Sequence, residues 1–262
     1  MAGNKKAVLA GFHAVTARLR LNPESIDEVY VDRSRHDRRM HEMCEKLKAA
    51  GIRPVGADAE RLDRIAGHGV QHQGIVAVGS VLEKTLSFDE LLDSITDKTL
   101  LLILDGVTDP RNFGACLRVA DAAGVQAVIA PLNRSSHVTP AAAKAAAGAE
   151  ESVPVVYVVN LASAIAELRD AGVMVVGTAG ETDRSIYDCD QKRAFAWVLG
   201  AEGEGLRQLT RKRCDALAAI PMMGSVESLN VSVAAGVCLF ESVRQRVGEK
   251  AARVDNPSRA KF

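Results

Sequence analysis

Aromatic residues make up only 4% of this 262-residue chain, with a single tryptophan, so its cores must be built from aliphatic side chains. No apolar run approaches the roughly 20 residues needed to cross a bilayer. The opening MAGNKKAVLAGFHA lacks the apolar length of a secretory signal. A cytoplasmic protein with no membrane partner is expected. The five cysteines, Cys44, Cys116, Cys189, Cys214 and Cys238, are odd in number and contain no CxxC pair. That argues against a disulfide framework or a zinc knuckle. Formal net charge is zero, so nucleic acid would have to be drawn by local basic patches rather than by total charge. No GxGxxG follows a strand and no GxxxxGK[ST] is present, which counts against a dinucleotide-binding oxidoreductase and a phosphate-binding loop. Beyond residue 98 there is one histidine, His137, so a Ser-His-Asp hydrolase is not indicated.

What is present has room for one large or two small domains. Residues 1 to 81 read as a small α/β unit. Helices are expected near Phe12 to Leu21, from Asp37 to Ala50, and after a capping Asp58; strands are expected near Glu28 to Asp32, at Ile52 to Val55, and through the run Gly74 to Val81. This unit carries 13 Lys and Arg against 10 Asp and Glu, with the excess concentrated in Arg33, Arg35, Arg38 and Arg39. Such a run is either a solvated face or a phosphate-contacting patch. His68 and His72 stand four apart, but Gly69 and the lack of neighbouring ligands favour a loop, and no metal is expected. Residues 82 to 98 form a polar connector with a short helix around Phe88 to Ile95.

From residue 99 to the end, short apolar runs alternate with helices: LLILDG, a helix from Asn112 to Ala123, AVIA, a helix from Pro140 to Ala149, VPVVYVV, a helix from Leu161 to Ala171, VMVVGTA, AFAWVLG and LAAIPM. Continuous apolar strands separated by helices predict a buried parallel sheet. Ligands of such sheets sit beyond the carboxyl ends of the strands, where LLILDG, AWVLG and AAIPM each break into polar or glycine-rich loops.

Three stretches carry the candidate chemistry. In DGVTDPRNFGACLRVADAAGV, Asn112 lies near a helix start and Arg118 one or two turns on, while Leu117, Ala120 and Val125 face the core. In LGAEGEGL, Gly200, Gly203 and Gly205 allow close backbone approach around one held carboxylate, Glu202. In IPMMGSVESLNVSVAAGVCLFE, Ser225, Ser228 and Asn230 offer caps to a helix whose Val231, Ala234, Ala235, Cys238 and Leu239 recur at core spacing. Read singly, each is an ordinary loop and capped helix.

Read together, in this order and spacing, NFGACLRVADAAG, LGAEGEGL and IPMMGSVESLNVSVAAGVCLFE resemble the three motifs of the SpoU branch of the SPOUT RNA 2′-O-methyltransferases over roughly residues 99 to 247. GFHAV at Gly11 to Val15 and HQGIVA at His72 to Ala77 look like that family's small RNA-binding domain. The resemblance implies an α/β fold, a parallel-sheet catalytic domain whose C-terminal segment is threaded into a trefoil knot, and a homodimer. It also implies S-adenosylmethionine as cofactor, contacted through Gly200, Ile220 and Leu229. The implied reaction is methyl transfer to the ribose 2′-hydroxyl of a guanosine in 23S ribosomal RNA, with transfer RNA as the alternative substrate and a noncatalytic RNA-binding assembly protein as the alternative class. Arg118 matches the family arginine that stabilises the alkoxide or assists proton transfer through a phosphate. Asn112 is expected to orient Arg118 and the ribose, Glu202 to anchor the site, and Ser228 and Asn230 to hold the substrate backbone or the loop. One departure stands out: KAAAGAEESVP places Lys144 and alanines where many relatives carry a serine.

Overall fold

The computed structural model describes residues 6–67, 69–80 and 86–251. His68 and the first residues of the expected 82–98 connector, up to residue 85, lie outside the described residues. The chain divides into two compact units, one drawn from the chain up to Lys84 together with Ala147–Ser152, the other from Thr85–Ala146 and Val153 onward.

The first unit is a four-stranded sheet in the order β1-β4-β2-β3, with β1 Lys6–Ala10, β2 Ile26–Asp32, β3 Val55–Ala57 and β4 Ile75–Ser80. Its helices are α1 Phe12–Leu21, α2 Arg38–Ala49 and α3 Ala59–Ala66. Asp37 and Asp58 start α2 and α3 by accepting the amides of Met40 and Arg61, the local competition for backbone donors that makes aspartate a cap. Phe12, Val15, Val29, Met40, Met43, Leu47 and Ile75 fill one core. The third strand is displaced from its expected place at Ile52 to Val55: pairing with Tyr30–Asp32 selects Val55–Ala57. β1 was not anticipated from sequence, because its pairing partner β4 lies far along the chain.

The second unit is a six-stranded, all-parallel sheet in the order β10-β8-β9-β5-β6-β7. The strands are β5 Leu100–Asp105, β6 Ala127–Pro131, β7 Val155–Val158, β8 Met174–Thr178, β9 Phe195–Gly200 and β10 Ala216–Ala218. The helices are α4 Phe88–Asp93, α5 Pro110–Ala123, α6 Pro140–Ala146, α7 Leu161–Asp170, α8 Gln208–Arg213 and α9 Val231–Ala251. Every residue of β5 is buried, as a central strand covered on both faces requires. Part of the expected polar connector packs into this core through Leu91, with Leu86, Phe88, Leu92 and Ile95 against it. α9 is anchored at its centre by Ser242, whose hydroxyl receives the Trp197 indole N–H at 3.0 Å.

Two helix boundaries differ from the sequence reading. α6 stops at Ala146 rather than Ala149, because Ala147 and Gly148 turn left-handed. A Cβ on Gly148 would lie 2.7 Å from Ala17 Cβ, so that turn needs a glycine. The short α8 was not anticipated. The alanines that replace the expected serine have a packing reason: Ala146 is buried, and a Cβ on Gly114 would sit 2.9 Å from Ala145 Cβ and 2.1 Å from the carbonyl oxygen of the preceding Ala142. Backbones this close admit only small side chains between α5 and α6.

Candidate active site

The site forms at the carboxyl edge of the parallel sheet, where the loops after β5 and β9 meet the segment leading into α9. Asp109 caps α5, accepting the amides of Arg111 at 2.7 Å and Asn112 at 3.0 Å, with Pro110 in the first turn. This fixes Asn112 on the opening turn. The loop after β9 folds back on itself: the Gly205 amide donates to the Ala201 carbonyl at 2.9 Å, and Gly203 and Gly205 both take positive φ. Glu202 is the residue presented by that fold.

One carboxylate oxygen ties three stretches together. Glu202 Oε1 accepts from Asn112 Nδ2 at 3.2 Å, from Asn230 Nδ2 at 2.6 Å and from the Val231 amide at 3.3 Å. Asn230 Nδ2 also donates to Asn112 Oδ1 at 3.0 Å. Asn230 Oδ1 in turn accepts the Ser232 amide at 3.0 Å, capping α9. A carboxylate at the amino end of a 21-residue helix is favoured by the helix dipole as well as by these donors. Among the described residues all of the Glu202 hydrogen bonds fall on Oε1, which leaves Oε2 without a protein partner.

The expected site residues therefore separate into groups. Asn112, Glu202 and Asn230 are brought together. Arg118 is exposed on α5, and among the described residues its guanidinium has neither an ion pair nor a hydrogen bond. The Asn112 side-chain oxygen, the atom able to accept from a guanidinium, accepts from Asn230 instead of from Arg118. Ser228 is exposed, and Ile220 and Leu229 are half-buried. Gly200 stands at the end of β9, but the close approach that demands a glycine there is to its own loop: a Cβ would lie 2.1 Å from the Gly205 carbonyl carbon. Cys116, beneath the cluster, is no nucleophile, since burial and then the Glu202 charge push its thiol up to about 12.

A further pair was missed by sequence reasoning. Asp105 closes β5 fully buried, receives the Arg207 amide at 3.0 Å and pairs with the Arg207 guanidinium. It thereby pins the far end of the loop that presents Glu202. The signal was available, because a carboxylate ending an otherwise apolar buried strand must find a partner. In the first unit, His72 takes the Gly74 amide on Nδ1 at 3.0 Å and donates Nε2 toward Asp63 at 3.1 Å, so it ties a loop. Arg35 and Arg38 are ion-paired to Asp37 and Glu42, while the Arg39 guanidinium lies 4.3 Å over the Phe12 ring.

Comparison with known proteins matches residues 99–240 to the SpoU rRNA Methylase family and residues 8–84 to the RNA 2′-O ribose methyltransferase substrate-binding family. The chain is 57% identical, over 93% of its length and 97% of the relative's, to the 23S rRNA (guanosine-2′-O-)-methyltransferase RlmB of Ralstonia nicotianae. A crystal structure of an RNA 2′-O ribose methyltransferase superposes with a TM-score of 0.76 at 22% identity, covering 94% of this chain and 90% of that one. The SpoU methyltransferase AviRb from Streptomyces viridochromogenes, in complex with the cofactor AdoMet, superposes with a TM-score of 0.71 at 25% identity, covering 92% and 91%. With the family's region spanning all six parallel strands from β5 to β10 and the first half of α9, this chain belongs to the SpoU rRNA methylase family.

Proposed function

We propose that this protein transfers the methyl group of S-adenosylmethionine to the ribose 2′-hydroxyl of a guanosine in 23S ribosomal RNA. The observation that carries the reading is the node at Glu202, which gathers the three family stretches into one polar cluster in a chain 57% identical to an enzyme of that activity.

The residues present suit the cofactor. Among the described residues no backbone–backbone hydrogen bond engages Ile220 to Leu229, so a run of amides and carbonyls is unspent. Backbone groups left this way call for a ligand or water. Ile220 and Leu229 supply half-buried apolar flanks, and Gly200 brings the end of β9 to the same edge. When bound, S-adenosylmethionine supplies a methyl group on a sulfonium, already activated toward an oxygen nucleophile.

The chain's own residues then act on that nucleophile. Arg118 stabilises the alkoxide that develops on the ribose, because its guanidinium is cationic and no partner among the described residues holds it. It does not take the proton, because a guanidinium carries its charge as a donor and has no lone pair placed to accept; the proton leaves to a phosphate or to solvent. Asn112, Glu202 and Asn230 hold the acceptor nucleotide in register, with Glu202 Oε2 open to accept from it, and Ser228, exposed on the segment before α9, holds the substrate backbone or the loop. Positioning supplies much of the rate.

The same reading assigns residues 1–81 to RNA binding, 82–98 to a linker and 99–262 to the methyltransferase. The segment between β10 and α9 returns from the edge of the sheet to Glu202, a path that supports the trefoil knot of the resemblance. A homodimer is supported by α9, whose Val233, Phe240 and Val247 recur every seven residues as an exposed apolar stripe, Phe240 being 50% exposed. Five free thiols suit the reducing cytoplasm, and no helix among the described residues is long and apolar enough to cross a membrane.

The test is transfer of labelled methyl to unmodified 23S ribosomal RNA and, separately, to transfer RNA, with the modified ribose mapped. Incorporation at one guanosine of 23S RNA is expected. Incorporation only into transfer RNA would overturn the substrate, and binding of RNA and cofactor with no transfer to either would overturn the activity.

A further inference from the structure

Arg134 occupies a backbone conformation that its side chain does not explain. Its φ is +60°, one of three non-glycine residues with positive φ among the described residues. This left-handed region is costly for any residue bearing a Cβ, and glycine or asparagine would fill it more cheaply. Non-glycine residues held this way concentrate at functional sites.

The loop that holds Arg134 is fixed at the site's edge. It follows β6, so it emerges from the same carboxyl edge of the sheet as the loops after β5 and β9. The Ser136 amide donates to the Val107 carbonyl at 2.8 Å and the Ser135 hydroxyl to the same oxygen at 3.3 Å, tying the loop to the one after β5. A Cβ placed on Gly106 would meet both Ala201 Cβ at 3.8 Å and the Arg134 carbonyl oxygen at 4.0 Å. Ala201 directly precedes Glu202, so the Arg134 backbone lies one residue contact from each of the loops that build the cluster.

The side chain is exposed, and among the described residues it has no ion pair and no hydrogen bond. Several other arginines are spent on carboxylates, Arg18 on Glu151, Arg169 on Asp215 and Arg207 on Asp105, whereas Arg134 shares with Arg118 a guanidinium at the site's edge with no such partner among the described residues. With formal net charge zero, an unpaired guanidinium held beside the acceptor site is a local feature rather than a share of a general positive field.

We propose that Arg134 grips a phosphate of the substrate RNA next to the methylated nucleotide, and that the left-handed turn exists to aim it. This rests on the methyltransferase reading above. The contact is electrostatic and directional, a fork of N–H donors to phosphate oxygens. It sets binding of RNA, not of cofactor.

The experiment compares the unsubstituted protein with Arg134→Gly, Arg134→Ala and Arg134→Lys, measuring affinity for an unmodified 23S RNA fragment across a salt series, KM and kcat for transfer, and cofactor affinity by calorimetry. Arg134→Gly removes the guanidinium while relaxing the turn, so its fold is retained. The expected result is an RNA affinity about tenfold lower for Arg134→Gly, a salt-dependence slope shallower by about 1, a raised KM with little change in kcat, and unchanged cofactor binding. Arg134→Lys should recover most of the slope. Wild-type RNA affinity and slope in Arg134→Gly would overturn the contact, even in an enzyme that transfers normally. Absence of transfer by the unsubstituted protein, with an RNA-binding slope that still depends on Arg134, would retain the contact and overturn the methyltransferase reading instead.

Discussion

Arg18 and Arg118 carry the same guanidinium into opposite surroundings. Arg18, on α1 of the first unit, is 2% exposed and spends four N–H donors: on both Glu151 oxygens at 2.7 and 2.8 Å, on Ser25 Oγ at 3.2 Å and on the Ser80 carbonyl at 2.8 Å. Arg118, on α5 of the second, is exposed and spends none within the described residues. A satisfied buried ion pair holds a fold in one arrangement, whereas a charge left in solvent on a rigid helix is available to a substrate. The position of an arginine in its network, more than its chemistry, decides whether it serves stability or reaction.

The largest effect that could break this contrast is on Arg18. Arg18→Ala strands a buried carboxylate and should lower unfolding free energy by about 3–5 kcal/mol, read by denaturant unfolding. A double replacement, Arg18→Met with Glu151→Leu, should recover most of that loss, because it removes both buried charges. If Arg18→Ala unfolds like the unsubstituted protein, the contrast fails.

Glu150, beside the pair, gives a pH signature. Burial first, and then the charge of Glu151, push its carboxyl up to about 7 against its own backbone hydrogen bonds and Arg18. With the folded value above the unfolded one, its contribution is full below about pH 4.5 and is lost as pH rises through about 7. Glu150→Gln should therefore flatten stability across that window and gain on the order of 3 kcal/mol above it, since one pKa unit is about 1.4 kcal/mol. Equal pH dependence in both proteins would contradict the burial of this group.

The smallest effect lies in the polar cluster of the second unit. Asn230→Ala should cost about 1 kcal/mol of stability, the worth of a helix cap, while Asn230→Asp, placing a second carboxylate against Glu202, should impair transfer more than it impairs folding. A loss of stability as large as that of Arg18→Ala would mean that the cluster holds the fold instead of the substrate.

Much of this was legible in the sequence because it is local. The six apolar runs are the six parallel strands, Asp37 and Asp58 cap where aspartate should, and Leu117, Ala120 and Val125 are buried as their spacing required. Asn112, Glu202 and Asn230 could be nominated singly, but their convergence on one oxygen depends on loops from three separate strands. The pairing of Asp105 with Arg207 and the capture of Arg18 by Glu151 are long-range in the same way. Alanine propensity argued for a helix through Ala149, and tertiary contact at Gly148 ended it at Ala146. Gly200 was expected to admit the cofactor, and the close approach visible at it is to Gly205, a residue of its own loop.

The most direct test of the central claim is methyl transfer and cofactor calorimetry on one preparation of Arg118→Ala, with unfolding measured alongside. The account predicts cofactor affinity and stability close to those of the unsubstituted protein, with transfer reduced by about 10²–10³-fold, the usual cost of removing one group that stabilises developing charge. Transfer at the unsubstituted rate, or parallel loss of cofactor binding and transfer, would contradict it.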